Sequence, residues 1–218
     1  NARAARERFE QLLAARAVRE DASRTAANMT ETSMKTIEGV FPEPSDLGLA
    51  AALDQFWSSW TDLSNDPGSL AARTQLLENA QTLTTSLNRT SNELQAVADN
   101  ATARMGTLAA EVNGLSGQIA NLNRTIASSF GQNNDLLDQR DVLVGRMANL
   151  TGGVSRINDN GTVDVYIGGR AVVTNTITQA VDGTTGVLRW QSDNAAVNPP
   201  SGEAQALTSI VTDVVPRY

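Results

Sequence analysis

The chain has 218 residues, a formal net charge of −7, 40% hydrophobic but only 4% aromatic residues, and neither Cys nor His. A disulfide framework, thiolate or imidazole metal ligation and the commonest general base are thereby excluded. Residues 41–100 hold eight acids against two Arg, so phosphate-backbone binding to nucleic acid lacks its main requirement, and an anionic membrane surface is disfavoured on the same ground.

Helical periodicity runs from about Ala4 to Glu38, placing Phe9, Leu12, Leu13, Ala22, Ala26, Met29 and Ile37 near one face until Gly39 and Pro42 end the helix. The chain opens at Asn1 in helical sequence with no signal peptide, as expected of an excised fragment. After a loop through Pro44 and Ser45, Leu49, Leu53, Phe56, Trp60 and Leu63 recur at 4-3-4-3 spacing. This pattern predicts a second helix with that stripe buried.

Asp66-Pro67 predicts the start of a long helix, with Asp66 as N-cap and Pro67 at the first helical position. The apolar seam of that helix comprises Leu76, Ala80, Leu83, Leu87, Thr90, Leu94, Val97, Ala101, Met105, Leu108, Val112, Leu115, Ile119, Leu122 and Ile126. A helix from about 67 to 129 is roughly 90 Å long at 1.5 Å per residue, and it needs antiparallel neighbours over its seam. The first helix and the segment after Glu203 are the candidates.

Gly131 and Gln132-Asn133-Asn134 break this helix, with Asn133 or Asn134 as the next cap and Asp135 near the positive N-terminus. The following helix, to Leu150, presents Leu136, Arg140, Leu143, Met147 and Leu150 on one face. Arg140 therefore occupies an apolar position and should be partly buried and paired, holding neighbouring helices in register. After Gly152-Gly153 the period becomes two. Val154 to Ile157, Thr162 to Ile167, Ala171 to Ile177 and Val187 to Gln191 read as strands, separated by Asn158-Asp159-Asn160-Gly161, Gly168-Gly169 and Asp182-Gly183. Asn198-Pro199-Pro200 interrupts, and Glu203 to Val215 has a weaker helical pattern.

The fold class is mainly α: an elongated antiparallel helical bundle, or rod, with a small antiparallel β subdomain near the C-terminal end. The expected division is a helical rod domain over 1–150, a small β-rich subdomain over 151–200 and the start of a returning helix over 201–218.

No catalytic, cofactor-binding or metal site is expected. Asp135, Asp138 and Asp141 stand at i, i+3, i+6, which spreads them around the helix, whereas a metal needs convergent oxygens. No phosphate loop or nucleophile elbow occurs. Phe56, Trp57 and Trp60 form a candidate packing or partner patch. A core stripe with Trp57 on its shoulder is the plainer reading of that cluster.

The run Asn134-Asp135-Leu136-Leu137-Asp138-Gln139-Arg140-Asp141, followed by Leu143-Val144, resembles the signature helix of the flagellar hook-associated protein 1 family. Upstream, Asn113 and Gln118-Ile119-Ala120-Asn121-Leu122-Asn123-Arg124-Thr125-Ile126 are similar to that family's long helix. Phe56-Trp57-Ser58-Ser59-Trp60, Asp66-Pro67 and Arg73 resemble the segment before it, and Ser201-Gly202-Glu203-Ala204 through Pro216-Arg217-Tyr218 resembles the start of its returning helix.

The resemblance implies a non-enzymatic, extracellular axial protein of the bacterial flagellum, secreted through the type III export apparatus. It implies assembly as a ring with neighbouring copies of itself between hook protein and hook-associated protein 3, with an export chaperone acting on terminal segments outside this chain. Without those segments the chain is expected to be monomeric in dilute solution. Neither nucleic acid nor membrane is an expected partner. The alternative is another secreted or surface rod-like structural protein, flagellin-like or an adhesin, sharing only bundle physics. A chemoreceptor-type signalling coiled coil would require a membrane span and heptads past residue 130, against which the strands argue.

Overall fold

The computed structural model describes residues 2–42, 45, 48–128 and 134–218. In chain order these form α1 (Ala2–Val40), α2 (Leu49–Asn65), α3 (Leu70–Ser128), α4 (Asn134–Thr151), β1 (Val154–Ile157), β2 (Val163–Ile167), β3 (Arg170–Thr174), β4 (Ile177–Thr178), β5 (Val181–Asp182), β6 (Arg189–Trp190) and α5 (Gly202–Ser209). A π-helical turn (Ile210–Val214) and a 3-10 turn (Val215–Arg217) follow. The chain forms two compact units, one of Asn1–Glu31 with Asp99–Arg217 and the other of Thr32–Ala98 with Tyr218. The protein is thus mainly helical, with small antiparallel sheets toward its C-terminal end. The anticipated break at Gly131 and cap at Asn133, and Pro44 of the first loop, lie outside the described residues.

In the first unit the core is a ridge along α3. Ala101, Met105, Leu108, Val112, Leu115 and Ile119 are all buried, and their alternating steps of four and three keep them on one face of a 3.6-residue helix. Met105, Leu108, Val112 and Ile119 are wholly inaccessible, each contributing about 1.5–3 kcal/mol of transfer free energy. From α4 come Val144, Met147, Ala148 and Leu150. α5 packs on α4 and buries Ala204, Ala206 and Leu207.

The larger sheet has the order β1-β2-β3-β4, all antiparallel, and β5 pairs with β6 in a second sheet. Val163, Val165 and Ile167 of β2 are buried at period two. The β2–β3 hairpin turns at Gly168-Gly169, whose φ values of 57° and 85° are those a two-residue turn matching the strand twist requires. The anticipated strand Ala171 to Ile177 is divided in two. A register shift beside Val165/Tyr166 pairs Tyr166 with Ala171 but Val165 with Val173. This irregularity allows the consecutive Val172 and Val173 both to be buried. Asn175 then takes φ 54°, a left-handed turn that Asn tolerates, and the chain resumes as β4. Likewise, only Arg189–Trp190 of the anticipated last strand is extended, paired with Val181–Asp182 just ahead of the predicted turn.

In this unit the early part of α1 departs from expectation. Ala22 and Ala26 are buried, but Phe9, Leu12 and Leu13 are 61%, 64% and 51% exposed. Periodicity marks an apolar face without deciding that another element reaches it. α1 also continues through Gly39 to Val40.

The second unit contains α2. Its inward face is Leu49, Ala52, Phe56, Ser59 and Leu63, with Ala52 and Ser59 buried and the other three half-buried. Leu53 and Trp60, expected inside, are 43% and 54% exposed. Small residues permit closer backbone approach, and the Ser59 hydroxyl is satisfied locally by donating to the Phe56 carbonyl at 2.8 Å, so the helix rotates toward Ala52 and Ser59. The Asp66 carboxylate does not cap α3. Ser69 does, its Oγ accepting the Ala72 N–H at 3.2 Å, while the Asp66 carbonyl accepts the Ser69 N–H at 3.1 Å. Along this part of α3, Leu76 and Leu94 are buried but Leu87 of the anticipated seam is 49% exposed.

One close approach fixes the entry to α5. Gly202 has φ +78°, and a Cβ there would lie 2.7 Å from the Asn149 carbonyl oxygen and 2.8 Å from the Thr151 and Gly152 nitrogens. All three are backbone atoms and cannot yield as a side chain would. Gly202→Ala should therefore destabilise the chain by more than about 2 kcal/mol through combined strain and overlap, measured by urea denaturation. An unchanged midpoint would show that α4 and α5 are not packed so tightly.

Candidate functional site

Two asparagines of α3 carry the sheets. The carboxamide of Asn123, which is wholly buried, donates from Nδ2 to the Val163 carbonyl at 2.8 Å and accepts the Val163 N–H at Oδ1 at 2.9 Å. Nδ2 also donates to the Asn175 carbonyl at 2.5 Å. Ten residues earlier, Asn113 repeats the doublet on the first residue of β5, donating to the Val181 carbonyl at 2.8 Å and accepting its N–H at 2.9 Å. A primary amide presents one donor edge and one acceptor edge side by side, so it pairs with a strand residue as another strand would. Each clasp satisfies both backbone polar groups of the first residue of a strand with a side-chain amide. Asp164 Oδ1 supports the first clasp by accepting the Asn175 N–H at 2.7 Å.

Arg140 is 3% exposed. Its Nη1 donates to the Gly161 carbonyl at 2.6 Å, and its Nε and Nη2 donate to Asp141 Oδ1 at 3.0 and 2.7 Å. The residue is buried and paired, as its position on the apolar face implies. Its partners, however, are the β1–β2 turn and its own helix rather than a neighbouring helix. The rest of the run Asn134 to Asp141 is less enclosed: Leu136 and Leu137 are half-buried, and Asn134, Asp135, Asp138, Gln139 and Asp141 are exposed.

A third junction joins α3 to α5. Arg104 donates in bidentate fashion to Glu203, Nε to Oε1 at 2.5 Å and Nη2 to Oε2 at 2.7 Å. The hydrogen bond to Glu203 holds the Arg104 guanidinium above its ordinary range. Arg146 reaches from α4 to Glu111 of α3 at 2.5 Å. From the larger sheet, Arg170 of β3 reaches over the Trp190 ring of β6 at 4.6 Å and donates to Asp193, which holds that carboxyl below its usual range.

Among the described residues no group of three or more Asp or Glu could hold a metal ion. The α3–α4 groove lined by Gln118, Asn121, Leu122, Thr125, Gln139, Val142 and Leu143 holds no acid. In the second unit Phe56 contacts both tryptophans, edge-on with Trp57 at 5.3 Å and tilted to Trp60 at 6.3 Å. Trp57 and Trp60 are 55% and 54% exposed.

A family model described as the flagellar hook-associated protein FlgK helical domain matches residues 34–216. The chain belongs to the FlgK family. Its FlgK-family relatives include flagellar hook-associated protein 1 of Bacillus subtilis, 31% identical over 147 residues, which is 62% of this chain and 29% of that protein. The protein of the same name from Salmonella typhimurium is 30% identical over 137 residues, 61% of this chain and 25% of that protein. The structure of the flagellar hook junction protein FlgK from Burkholderia pseudomallei shares the fold, with a TM-score of 0.72 at 22% identity, over 87% of this chain and 38% of that one. The matched FlgK-family region is therefore well under half the length of each relative.

In the sequence, Asn113 and Asn123 are marked only by the family resemblance. The signal for Asn123 was nevertheless present: it follows Ile119 by four residues, on the buried ridge, just as Arg140 stands on an apolar face. Replacing Asn123 by Leu should cost about 2–4 kcal/mol, because Val163 loses partners for both backbone groups and Asn175 for its carbonyl. Asn113→Leu should cost less, since that position is half-buried. Equal losses in urea titration would show that burial does not grade the two clasps. Arg140→Leu leaves the Gly161 carbonyl unpaired and should lower stability by about 1–3 kcal/mol, and an unchanged thermal midpoint would remove its clamp role.

Proposed function

We propose that the protein is a structural component of the bacterial flagellum that joins hook to filament as a hook-associated axial protein. Membership of the FlgK family carries this reading. The hydrogen-bonded junctions are consistent with it: Asn113 and Asn123 of α3, Arg140 of α4 and Glu203 of α5 are taken up by strand, turn or helix partners, leaving function to outward surfaces. On this reading the protein is not an enzyme. It is exported through the flagellar type III apparatus to the cell exterior, where it packs against copies of itself in a ring and meets hook protein and hook-associated protein 3, after handling by an export chaperone.

Within that reading, Trp57 and Trp60 form a contact patch toward a neighbouring axial subunit. Two half-exposed indoles steadied by Phe56 present a large apolar area at low entropic cost, the character of interface anchors.

The test is electron microscopy of cells lacking the parent gene, with flagellin measured in the medium. Bare hooks and released flagellin, both reversed by the intact gene, are expected; normal filaments would sink the junction role and favour another surface fibre. In the restored strain, the pair Trp57→Ala and Trp60→Ala should leave the fold intact but raise flagellin release. Release at the level of the unsubstituted gene would remove the indoles from the contact.

A further inference from the structure

The chain holds two Asn-Gly pairs, Asn113-Gly114 and Asn160-Gly161. An asparagine followed by glycine is exposed to attack by the next backbone nitrogen, because no Cβ shields that approach. The structure sets the two pairs apart. Asn113 is held at both edges of its amide by Val181, and Gly114 lies within α3. Attack there would require opening the helix and releasing β5 together.

Asn160 lies exposed in the turn between β1 and β2. Its Oδ1 accepts two donors from Thr162, the backbone N–H at 3.2 Å and the hydroxyl at 2.7 Å. Two donors aimed at one carbonyl oxygen draw electron density from Cγ and stabilise the negative charge that builds on Oδ1 as a nucleophile adds, which is how an oxyanion hole acts. The Gly161 N–H donates to the Asn158 carbonyl at 2.9 Å, and this bond must open first. A single bond in an exposed turn opens at far lower free energy than a helix pinned to a strand.

We propose that Asn160 is a site of spontaneous intramolecular modification, activated by Thr162, whose product releases the β1–β2 turn from Arg140. The Gly161 nitrogen gives its proton to solvent base and bonds to Asn160 Cγ. The Cγ–Nδ2 bond breaks, and Nδ2 takes a proton from water and leaves as ammonia, closing a five-membered imide. Water then opens the ring at either carbonyl. Opening at Cγ gives aspartate; opening at the main-chain carbonyl gives isoaspartate, which adds one methylene to the backbone. The added length displaces the Gly161 carbonyl, which accepts from Arg140 Nη1 at 2.6 Å. The buried guanidinium thereby loses the acceptor of its Nη1 and keeps only Asp141.

The experiment incubates the folded chain at mildly alkaline pH, then maps peptides by mass and labels isoaspartate with isoaspartyl methyltransferase. The folded chain should convert at Asn160 and not at Asn113, while the chain in urea converts at both. Thr162→Val should slow conversion at Asn160 about two- to ten-fold, the worth of one hydrogen bond, and Thr162→Ser should preserve the rate. The isoaspartate fraction should exchange β1–β2 amides faster than Asn160→Asp does. Conversion of both pairs at one rate in the folded chain would overturn the proposal. So would no conversion at Asn160 over the time the unfolded chain needs. Both results come from the unsubstituted protein and do not depend on whether a variant folds.

Discussion

Both edges of the Asn123 carboxamide are committed to the backbone of Val163, deep under the larger sheet. The first residue of a strand that begins against a helix has an N–H and a carbonyl that must be satisfied, and water has no access here. An apolar residue at position 123 would bury more carbon but orphan these groups, at a cost exceeding the gain. One polar residue at the end of an apolar ridge thus sets the position of β2 on α3. The β1–β2–β3 register follows from β2, and Asn113 performs the same task for β5.

The remaining junctions share this logic. Arg140 is buried because the Gly161 carbonyl needs a donor, and Glu203 is buried because Arg104 meets it with a fork of two N–H groups. These contacts are directional, so they select one arrangement of α3, α4, α5 and the sheets, whereas the apolar ridge of α3 would tolerate small slides along its length. Apolar burial supplies the cohesion and the polar groups supply the register. A protein acting through its outer faces needs such fixed geometry beneath them, since a contact surface is only as well defined as the elements that carry it.

Much of the fold was legible. Helix periods, the switch to alternation after Gly152-Gly153 and the Gly168-Gly169 turn are local consequences of side-chain spacing and backbone freedom. The structure departs from the sequence pattern where a local rule meets a competitor. Asp66 is a good cap by type, yet Ser69 was better placed once Pro67 and Gly68 formed a turn. Leu53 and Trp60 are apolar, yet Ala52 and Ser59 allowed closer approach. Arg140 reads as partly buried and paired because a charge on an apolar face must find partners. Its partner, twenty-one residues away in a turn, carries no sequence mark.

By itself the sequence determined the long helices, the small sheets after them and the kinship carried by the run from Asn134 to Asp141, because periodicity, caps and motif order are written in neighbouring residues. Only the tertiary structure decided which faces are covered, that two asparagine amides serve as strand partners, and that one Asn-Gly pair is locked while the other is open. Those outcomes depend on which backbone groups meet across tens of residues, and hydrogen-bond geometry at that separation exists only after packing.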